Sequence, residues 1–309
     1  MTPLGIESTG TAWFLNGISN LSQQQTQTQR ALSSGYQIND ASDSPGQTPE
    51  LIELGSTLGA VQAYQTNLGN VQTEASTADQ ALGSGISLIQ NAITLASQGV
   101  NSTSTASSNQ ILAANVQGIQ QQLVAIANTA VAGRFIFGGN QDQSPPYQYD
   151  AATATGVDSL TASTSSRVIV NTQGQSVYQP LTAQQIFDPV DATGAPAANN
   201  TFAALQSLST ALQANDQAGI ASALSALQTS SSYVNQQQAY YGESEKRLTG
   251  EQTSAASQIT ALQVQIGGIR DTNIAQAATD LTQESTDLSA ATGAEAEVVQ
   301  QKTLFDYLG

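Results

Sequence analysis

The side chains that most often carry out enzyme chemistry are missing from this sequence. Its 309 residues include no histidine and no cysteine, which removes the commonest general base, the commonest metal ligand and every thiolate. Glu50 with Glu53, and Glu243 with Glu245, have the close spacing of an acid–base pair. The same carboxylates also suit a helix N-terminus and a solvated helix face. We therefore predict that the chain is not an enzyme.

A glycine cluster and two aspartates are the other candidates for a ligand site. Gly133, Gly138 and Gly139 lack the Gly-Lys-Ser/Thr that accompanies a phosphate-binding loop, so they indicate a helix end and a bend of the chain. Asp142 and Asp150 flank a Pro-Pro turn and could bind Ca²⁺, but aspartates also favour turns. We expect turn chemistry at these positions, with no metal and no cofactor.

The charge balance is strongly acidic. Seven Lys and Arg residues stand against 23 Asp and Glu residues, which gives a formal net charge of −16. Nucleic acids and anionic membrane surfaces attract basic proteins, so we expect neither as a partner. The N-terminal stretch before Arg30 has no basic residue and no unbroken apolar run, and no segment approaches the length of a membrane span. We expect a cytoplasmic chain, or one exported without a cleaved signal peptide.

Long stretches of the chain repeat apolar residues in alternating steps of three and four, a pattern typical of helices that pack along a seam. The run from Leu51 to Val100 predicts a helix near 75 Å long at ~1.5 Å per residue, too long for a compact globular domain. Gln65, Gln72 and Asp79 interrupt this run. They indicate either a stretch that faces solvent or polar residues that fix the register of the seam.

Turn residues at 101–109 separate this run from a third helix, which we expect to return antiparallel with a stripe from Leu112 to Ala130. The apolar period then changes to two. Segments 134–137, 144–147, 167–170 and 176–178 predict short strands, and a Pro/Ala/Asn-rich linker follows at 189–200. The helical pattern resumes from Ile220 to Ile269 and restarts, with a slip in phase, at Ile274.

These patterns predict a mainly α fold, namely a long antiparallel helical rod, coiled-coil-like and built from both termini, with a small inserted β-rich outer domain. We expect residues 1–45 and 250–309 to form terminal helical assembly segments, and residues 46–135 and 200–249 to form the core of the rod. Residues 136–199 would be the insert, folding independently of the helices.

The apolar stripes at both ends of the chain are the candidate functional surface. An ordinary intramolecular core would explain them, but no further segment remains to cover stripes at the end of the rod. We therefore predict a subunit–subunit interface made by Phe14, Ile18, Leu21, Leu32, Ile259, Leu262, Ile266, Ile269, Leu281, Leu288, Val298, Phe305 and Leu308.

Three stretches resemble a known family. Residues 32–35, 38–39 and 41–45 (LSSG, IN and ASDSP) are similar to a motif shared by flagellins and hook-associated junction proteins, and residues 269–283 (IRDTNIAQAATDLTQ) resemble the C-terminal flagellin motif. Residues 123–139 (LVAIANTAVAGRFIFGG) and the ending LFDYL at 304–308 resemble the junction proteins more than flagellins. Tyr36-Gln37 stands where that family usually has a basic residue, and Asp43-Ser44-Pro45 replaces Asp-Asp-Pro.

The resemblance implies a structural subunit of the bacterial flagellum that forms a ring between hook and filament. It further implies a neighbouring hook-associated protein and flagellin as partners, an export chaperone, and an extracellular location reached through the flagellar type III export channel. A filament subunit is the alternative within the same class. A secreted module that binds a glycan or a host surface is a more distant alternative, which a solvent-exposed cluster of Tyr147, Tyr149 and Tyr178 would support.

Overall fold

The computed structural model describes residues 7–101, 105–161 and 165–300, with the side chains of 7–11, 295 and 297–300 left out. These ranges contain long α-helices and short antiparallel strand pairs, so the predicted mainly α fold with a small β-rich insert is confirmed. In chain order the elements are α1 (Glu7–Ser34), α2 (Thr48–Gly99), α3 (Ala106–Ala127), β1 (Ala130–Val131), β2 (Arg134–Phe135), β3 (Tyr147–Tyr149), β4 (Val157–Ser159), β5 (Ile169–Val170), β6 (Ser176–Tyr178), α4 (Ala183–Phe187), α5 (Thr201–Gln213), α6 (Gln217–Arg270) and α7 (Ile274–Gln300).

The chain divides into two compact units. The terminal unit comprises Met1–Ala60 and Gln258–Gly309, and the central unit comprises Val61–Ser257. The divisions fall inside α2 and inside α6, which are 52 and 54 residues long. The domain limits expected from the sequence differ from these divisions and stay predictions.

The two longest helices keep the register that the sequence predicts. At ~1.5 Å per residue, the 52 residues of α2 extend over about 78 Å. Leu82, Ile86 and Ile89 are buried, and Ile93 packs partly buried against the same core. On α6, every position of the predicted register from Ile220 to Ile269 is buried or half-buried. Helix packing along one face therefore follows directly from the apolar spacing.

The polar residues that interrupt the α2 stripe are half-buried. Gln65, Gln72 and Asp79 are all intermediate in exposure, so this stretch of the helix does not face open solvent. Asp79 lies near Glu245 of α6. Burial, and then the charge of Asp79, raises the pKa of Glu245. Like charges close together in a partly buried seam destabilise it, so packing alone does not explain Asp79.

The third helix begins earlier and ends earlier than its pattern predicts. The Thr105 hydroxyl accepts a hydrogen bond from the backbone N–H of Ser108 and caps α3. Residues 106–109, predicted as turn, are therefore helical. Ala130 does not extend the helical stripe, because it lies in β1 and pairs with Phe135. Along the remaining stripe Leu112, Val116, Ile119 and Leu123 are buried, and α3 packs against α5.

The described residues between α3 and α5 contain three two-stranded antiparallel pairs and a short helix. β1 and β2 form a hairpin through Ala132 and Gly133, whose φ angles of 51° and 79° suit a tight two-residue turn. β3 pairs with β4, and β5 pairs with β6. The sequence pattern missed β4 and α4. The latter is fixed by a capping box between Thr182 and Gln185.

Aromatic side chains from the insert and from the helices share one core. The Phe137 ring lies 6.3 Å from the ring of Phe187 and 6.4 Å from that of Tyr241 on α6, edge-on in both cases. Phe187 in turn contacts Phe202 of α5, with ring centroids 6.0 Å apart. The Tyr241 hydroxyl accepts a hydrogen bond from the backbone N–H of Leu181, 3.1 Å away. This packing argues against an insert that folds independently.

Candidate functional site

The carboxylates considered as acid–base pairs lie on the long helices α2 and α6. Glu50 lies in the first turn of α2, where a negative charge favours the helix dipole. Glu53 and Glu243 are exposed to solvent, and Glu245 is half-buried. Across the described ranges, no group of three or more acidic residues is placed to hold a metal ion. No helix in those ranges is both long and apolar enough to cross a membrane.

Asp142 holds the start of the insert against α2. Its carboxylate accepts a hydrogen bond from the Arg134 side chain, with Nε 2.7 Å away, and lies 3.9 Å from Arg167. Arg167 also pairs with Glu74 of α2. Burial pulls the pKa of Asp142 upward, but hydrogen bonds from Gln143 and Arg134 and the charge of both arginines hold it below its usual range. The charges are paired with each other, which favours a structural role.

The remaining turn residues also have structural partners. The Asp150 carboxylate accepts a hydrogen bond from the backbone N–H of Ala152, as expected for a turn. At Gly138 a Cβ atom would lie 3.0 Å from the Asp142 Cα and 3.2 Å from the Phe135 carbonyl oxygen, so the chain folds too closely here for a side chain. The glycine cluster therefore serves the bend into the insert.

The N-terminal stripe packs against the last described helix. Phe14, Ile18, Leu21 and Leu32 are half-buried on one face of α1, and α1 contacts α7. Trp13, one position away, is 81% exposed and lies outside this face. The predicted stripe is therefore a real face of the helix. Packing against α7 would explain the stripe as an intramolecular core. It covers the stripe only in part, because each of the four side chains stays partly exposed.

The α7 side of this seam includes two of the predicted residues. Leu281 and Leu288 are half-buried, together with Ala291, while Ala277 is buried. Ile274, expected to restart the stripe, is instead 60% exposed because it lies at the first position of α7, outside the packed face. The side chain of Val298, and the whole of Phe305 and Leu308, fall outside the described part of the chain.

One α6 member of the predicted interface, Ile266, lines a groove. Ile259, Leu262, Ile266 and Ile269 are half-buried. A groove of about 560 Å³ runs between the start of α2 and the end of α6. It is lined by Leu51, Gly55, Leu58, Gln263, Ile266, Gly267, Arg270 and Asp271. Its lining is mixed, with leucine, isoleucine and glycine residues beside Gln263, Arg270 and Asp271.

Two motifs that are far apart in sequence meet beside this groove. The α1–α2 loop contacts the α6–α7 loop, and Tyr36 and Asp271 form an isolated antiparallel bridge. The backbone N–H of Gln37 donates to the Arg270 carbonyl at 2.8 Å, and the backbone N–H of Thr272 donates to the Gly35 carbonyl at 2.9 Å. Gly35 has a φ of +78°, which a side chain disfavours. The backbone thus joins the two loops directly.

Side chains of the same loops complete the end of α6. The Gln37 amide donates to the Ile269 carbonyl at 2.6 Å, and therefore satisfies one of the carbonyls that a helix C-terminus leaves without a partner. The Arg270 guanidinium lies 3.9 Å from the centre of the Tyr36 ring, a cation–π contact. Tyr36 and Gln37, the residues that depart from the family pattern, thus both bind the end of α6.

The rest of the α1–α2 loop is organised by Asp43. Its carboxylate accepts hydrogen bonds from the backbone N–H groups of Asp40, at 2.8 Å, and Asn39, at 2.9 Å. These bonds lower the pKa of Asp43. Asp43 therefore binds the backbone of its own loop, although the next residue, Ser44, departs from the family pattern.

The terminal unit has almost no fully buried core. Among its described residues only Ile38 and Ala277 are buried apolar residues, whereas the central unit holds all the others. Several large apolar side chains of the terminal unit are exposed instead, namely Trp13, Leu15, Ile52, Val264 and Ile274.

The tyrosine cluster considered as a binding surface is not exposed. Tyr147 and Tyr178 are each 2% exposed, and Tyr149 packs partly buried against the same core. The Tyr147 hydroxyl donates to the Asp188 carboxylate at 3.0 Å. The condition for a glycan-binding or host-binding insert is therefore not met.

Comparison with known proteins finds similarity to flagellar proteins. Residues 11–142 match the family model of the bacterial flagellin N-terminal helical region. Flagellar hook-associated protein 3 of Escherichia coli K12 is 23% identical over 203 residues, which are 64% of this chain and 63% of that protein. The match thus spans less than two thirds of that relative.

Solved structures share the fold. A flagellar hook-associated protein from Vibrio parahaemolyticus aligns over 74% of this chain and 100% of its own, with a TM-score of 0.63 and 18% identity. Hook-associated protein 3 from Legionella pneumophila covers 70% of this chain and 98% of its own, with a TM-score of 0.59 and 10% identity. FlgL from Bacillus cereus covers 70% and 99%, with a TM-score of 0.55 and 16% identity. Residues 11–142 thus match the N-terminal helical region of bacterial flagellins, the chain is similar to flagellar hook-associated protein 3, and it shares the fold of these solved structures.

Proposed function

We propose that this chain is a structural subunit of the bacterial flagellum, at the junction between hook and filament, and that its terminal unit assembles with copies of itself. The near absence of buried core in that unit is the observation that carries the assembly proposal. Each of its helices keeps a half-buried apolar stripe. Contact with neighbouring copies would bury the remaining surface, at roughly 25 cal/mol per Å² of apolar area.

The partners and location follow from the same proposal. Neighbours along the axis would be another hook-associated protein on one side and flagellin on the other, with an export chaperone before assembly. The subunit would be extracellular, in the flagellum, after export without a cleaved signal peptide. The predicted interface residues, including those outside the described part of the chain, belong to this proposal.

A filament subunit is the second candidate, because the matched family model describes a region of flagellin. The similarity to hook-associated protein 3 supports the junction more directly. Copy number separates the two, since a ring needs few subunits per flagellum and a filament needs very many.

Two matched substitutions test whether assembly uses the exposed side of α1, next to the half-buried stripe. Trp13, in the terminal unit, and Ile111, in the central unit, are both exposed, by 81% and 63%. Because neither is packed in the free chain, Trp13→Asp and Ile111→Asp should each change the free energy of unfolding by no more than about 0.5 kcal/mol. We expect Trp13→Asp to impair filament attachment and swimming, and Ile111→Asp to leave both intact.

Loss of the gene tests the wider role. A strain without the chain should carry hooks that lack filaments, and the wild-type gene should restore swimming. If Trp13→Asp cells swim normally, the exposed face of α1 is not the interface. If the deletion strain keeps its filaments, the junction role itself is wrong.

A further inference from the structure

The seam between α1 and α7 is apolar except near its middle. On α1 the half-buried positions run in steps of four and three, and include Gln25 and Thr28 between Leu21 and Leu32. On α7 the matching positions are Ala277, Leu281, Glu284, Leu288 and Ala291. One carboxylate therefore lies where the pattern calls for an apolar side chain.

The carboxylate and a hydroxyl meet across the seam. The Thr28 hydroxyl donates a hydrogen bond to Glu284 Oε1 at 3.0 Å. The second carboxylate oxygen, Oε2, is buried and has no hydrogen-bond partner within the described part of the chain. A half-satisfied carboxylate in a packed seam costs stability relative to an apolar residue. Its presence is better explained by specificity than by stability.

Apolar spacing alone leaves the register of this helix pair weakly defined. A pattern that repeats every seven residues is matched again when one helix slides by seven. The helices are antiparallel, because the Gly35 carbonyl at the end of α1 binds Thr272 just before α7 begins. Sliding by seven residues would place Glu284 opposite Leu21 in one direction and opposite Gly35 in the other. Both alternatives leave the carboxylate without the Thr28 hydroxyl.

We propose that the Thr28–Glu284 pair holds the register along the seam between α1 and α7, in addition to the backbone hydrogen bonds that join the two helices at the Gly35–Thr272 end. A buried polar pair that is satisfied in one alignment only disfavours the shifted ones, as buried polar residues do in coiled coils. The register decides which apolar side chains of the terminal unit are covered and which stay outward. The inference concerns the isolated chain and holds whether or not the chain forms the junction.

Introduced cysteine pairs can report the register directly, since the sequence contains no cysteine. Seven residues from the Thr28–Glu284 contact along each helix lie Leu21 and Ala291, so Leu21→Cys with Ala291→Cys reports the observed register. Phe14→Cys with Ala291→Cys reports a slide of one repeat. In the otherwise unchanged chain we expect the first pair to form its disulfide at least about tenfold more than the second, since the hydrogen bond to the charged group contributes about tenfold and the backbone bonds at the Gly35–Thr272 end add to it.

Substitutions at the polar pair then change this ratio. Glu284→Leu should lower it about tenfold while helical circular dichroism is kept, because the apolar stripe becomes continuous. Thr28→Val should lower it as well. Glu284→Gln, which keeps a hydrogen-bond acceptor for Thr28, should retain the register.

The matched control is Asp287→Leu, which replaces an exposed carboxylate on the same helix. It should not change the ratio. Equal cross-linking of both pairs in the unchanged chain would overturn the proposal. So would an effect of Asp287→Leu as large as that of Glu284→Leu, or a ratio that neither Glu284→Leu nor Thr28→Val alters.

Discussion

Replacing Phe137 by alanine tests whether the insert and the helices share one core. Phe137 is 1% exposed, and its ring contacts those of Phe187 and Tyr241. Removing a buried phenylalanine side chain costs about 3–5 kcal/mol, depending on how far the site collapses. Both neighbouring rings are themselves fully buried, so little collapse is available. We expect a loss of about 4–5 kcal/mol in the free energy of unfolding.

Urea unfolding followed by two signals measures this loss. Far-ultraviolet circular dichroism follows the helices, and near-ultraviolet circular dichroism follows the tyrosines of the shared core. Both transitions should move together to lower urea in Phe137→Ala. Val168→Ala, at a position 46% exposed in the same insert, should change the free energy by less than about 0.5 kcal/mol. If only the tyrosine signal moves and the helical transition keeps its midpoint, the insert folds independently and the shared-core interpretation is wrong.

Three further predictions concern the charge of Glu245, the backbone at Gly35 and the stability of the terminal unit. Glu245→Gln should stabilise the chain at neutral pH, because the raised pKa of Glu245 means that its ionised form destabilises the fold. In thermal melts at about pH 4, where the carboxyl is protonated, the gain over wild type should disappear. A gain that persists there would contradict this origin. Gly35→Ala should cost about 1–2 kcal/mol through its positive φ rather than through a clash, since a Cβ meets no atom there; unchanged urea unfolding would count against the strained turn. Limited proteolysis of the free chain should cut residues 12–60 and 258–294 before 61–257, because the terminal unit has so little buried core; equal resistance of both units would refute this.

The sequence predicts the long helices well because their packing repeats. The α6 register from Ile220 to Ile269 follows from apolar spacing alone, and so does the face of α1 that carries Phe14 and Ile18. The pattern fails at helix ends. Ala130 keeps the helical spacing but lies in β1, since the Ala132-Gly133 turn starts a hairpin there.

Strand β4 and the meeting of the two loops lie beyond the sequence pattern for a different reason. β4 follows a stretch of Thr, Ala and Gly and is stabilised by pairing with β3, a contact that no local period signals. The bridge between Tyr36 and Asp271 joins residues more than two hundred positions apart. The resemblance singled out both loops, but neither motif shows by itself that the other is its partner.

Immunogold labelling of flagella purified from cells that make an epitope-tagged chain tests the junction role most directly. A subunit of the hook–filament junction should be labelled in one short zone where the hook ends and the filament begins, in few copies on each flagellum. Label distributed along the whole filament would identify a filament subunit instead. Flagella without label, from cells in which the tagged chain is made and secreted, would contradict the proposed role.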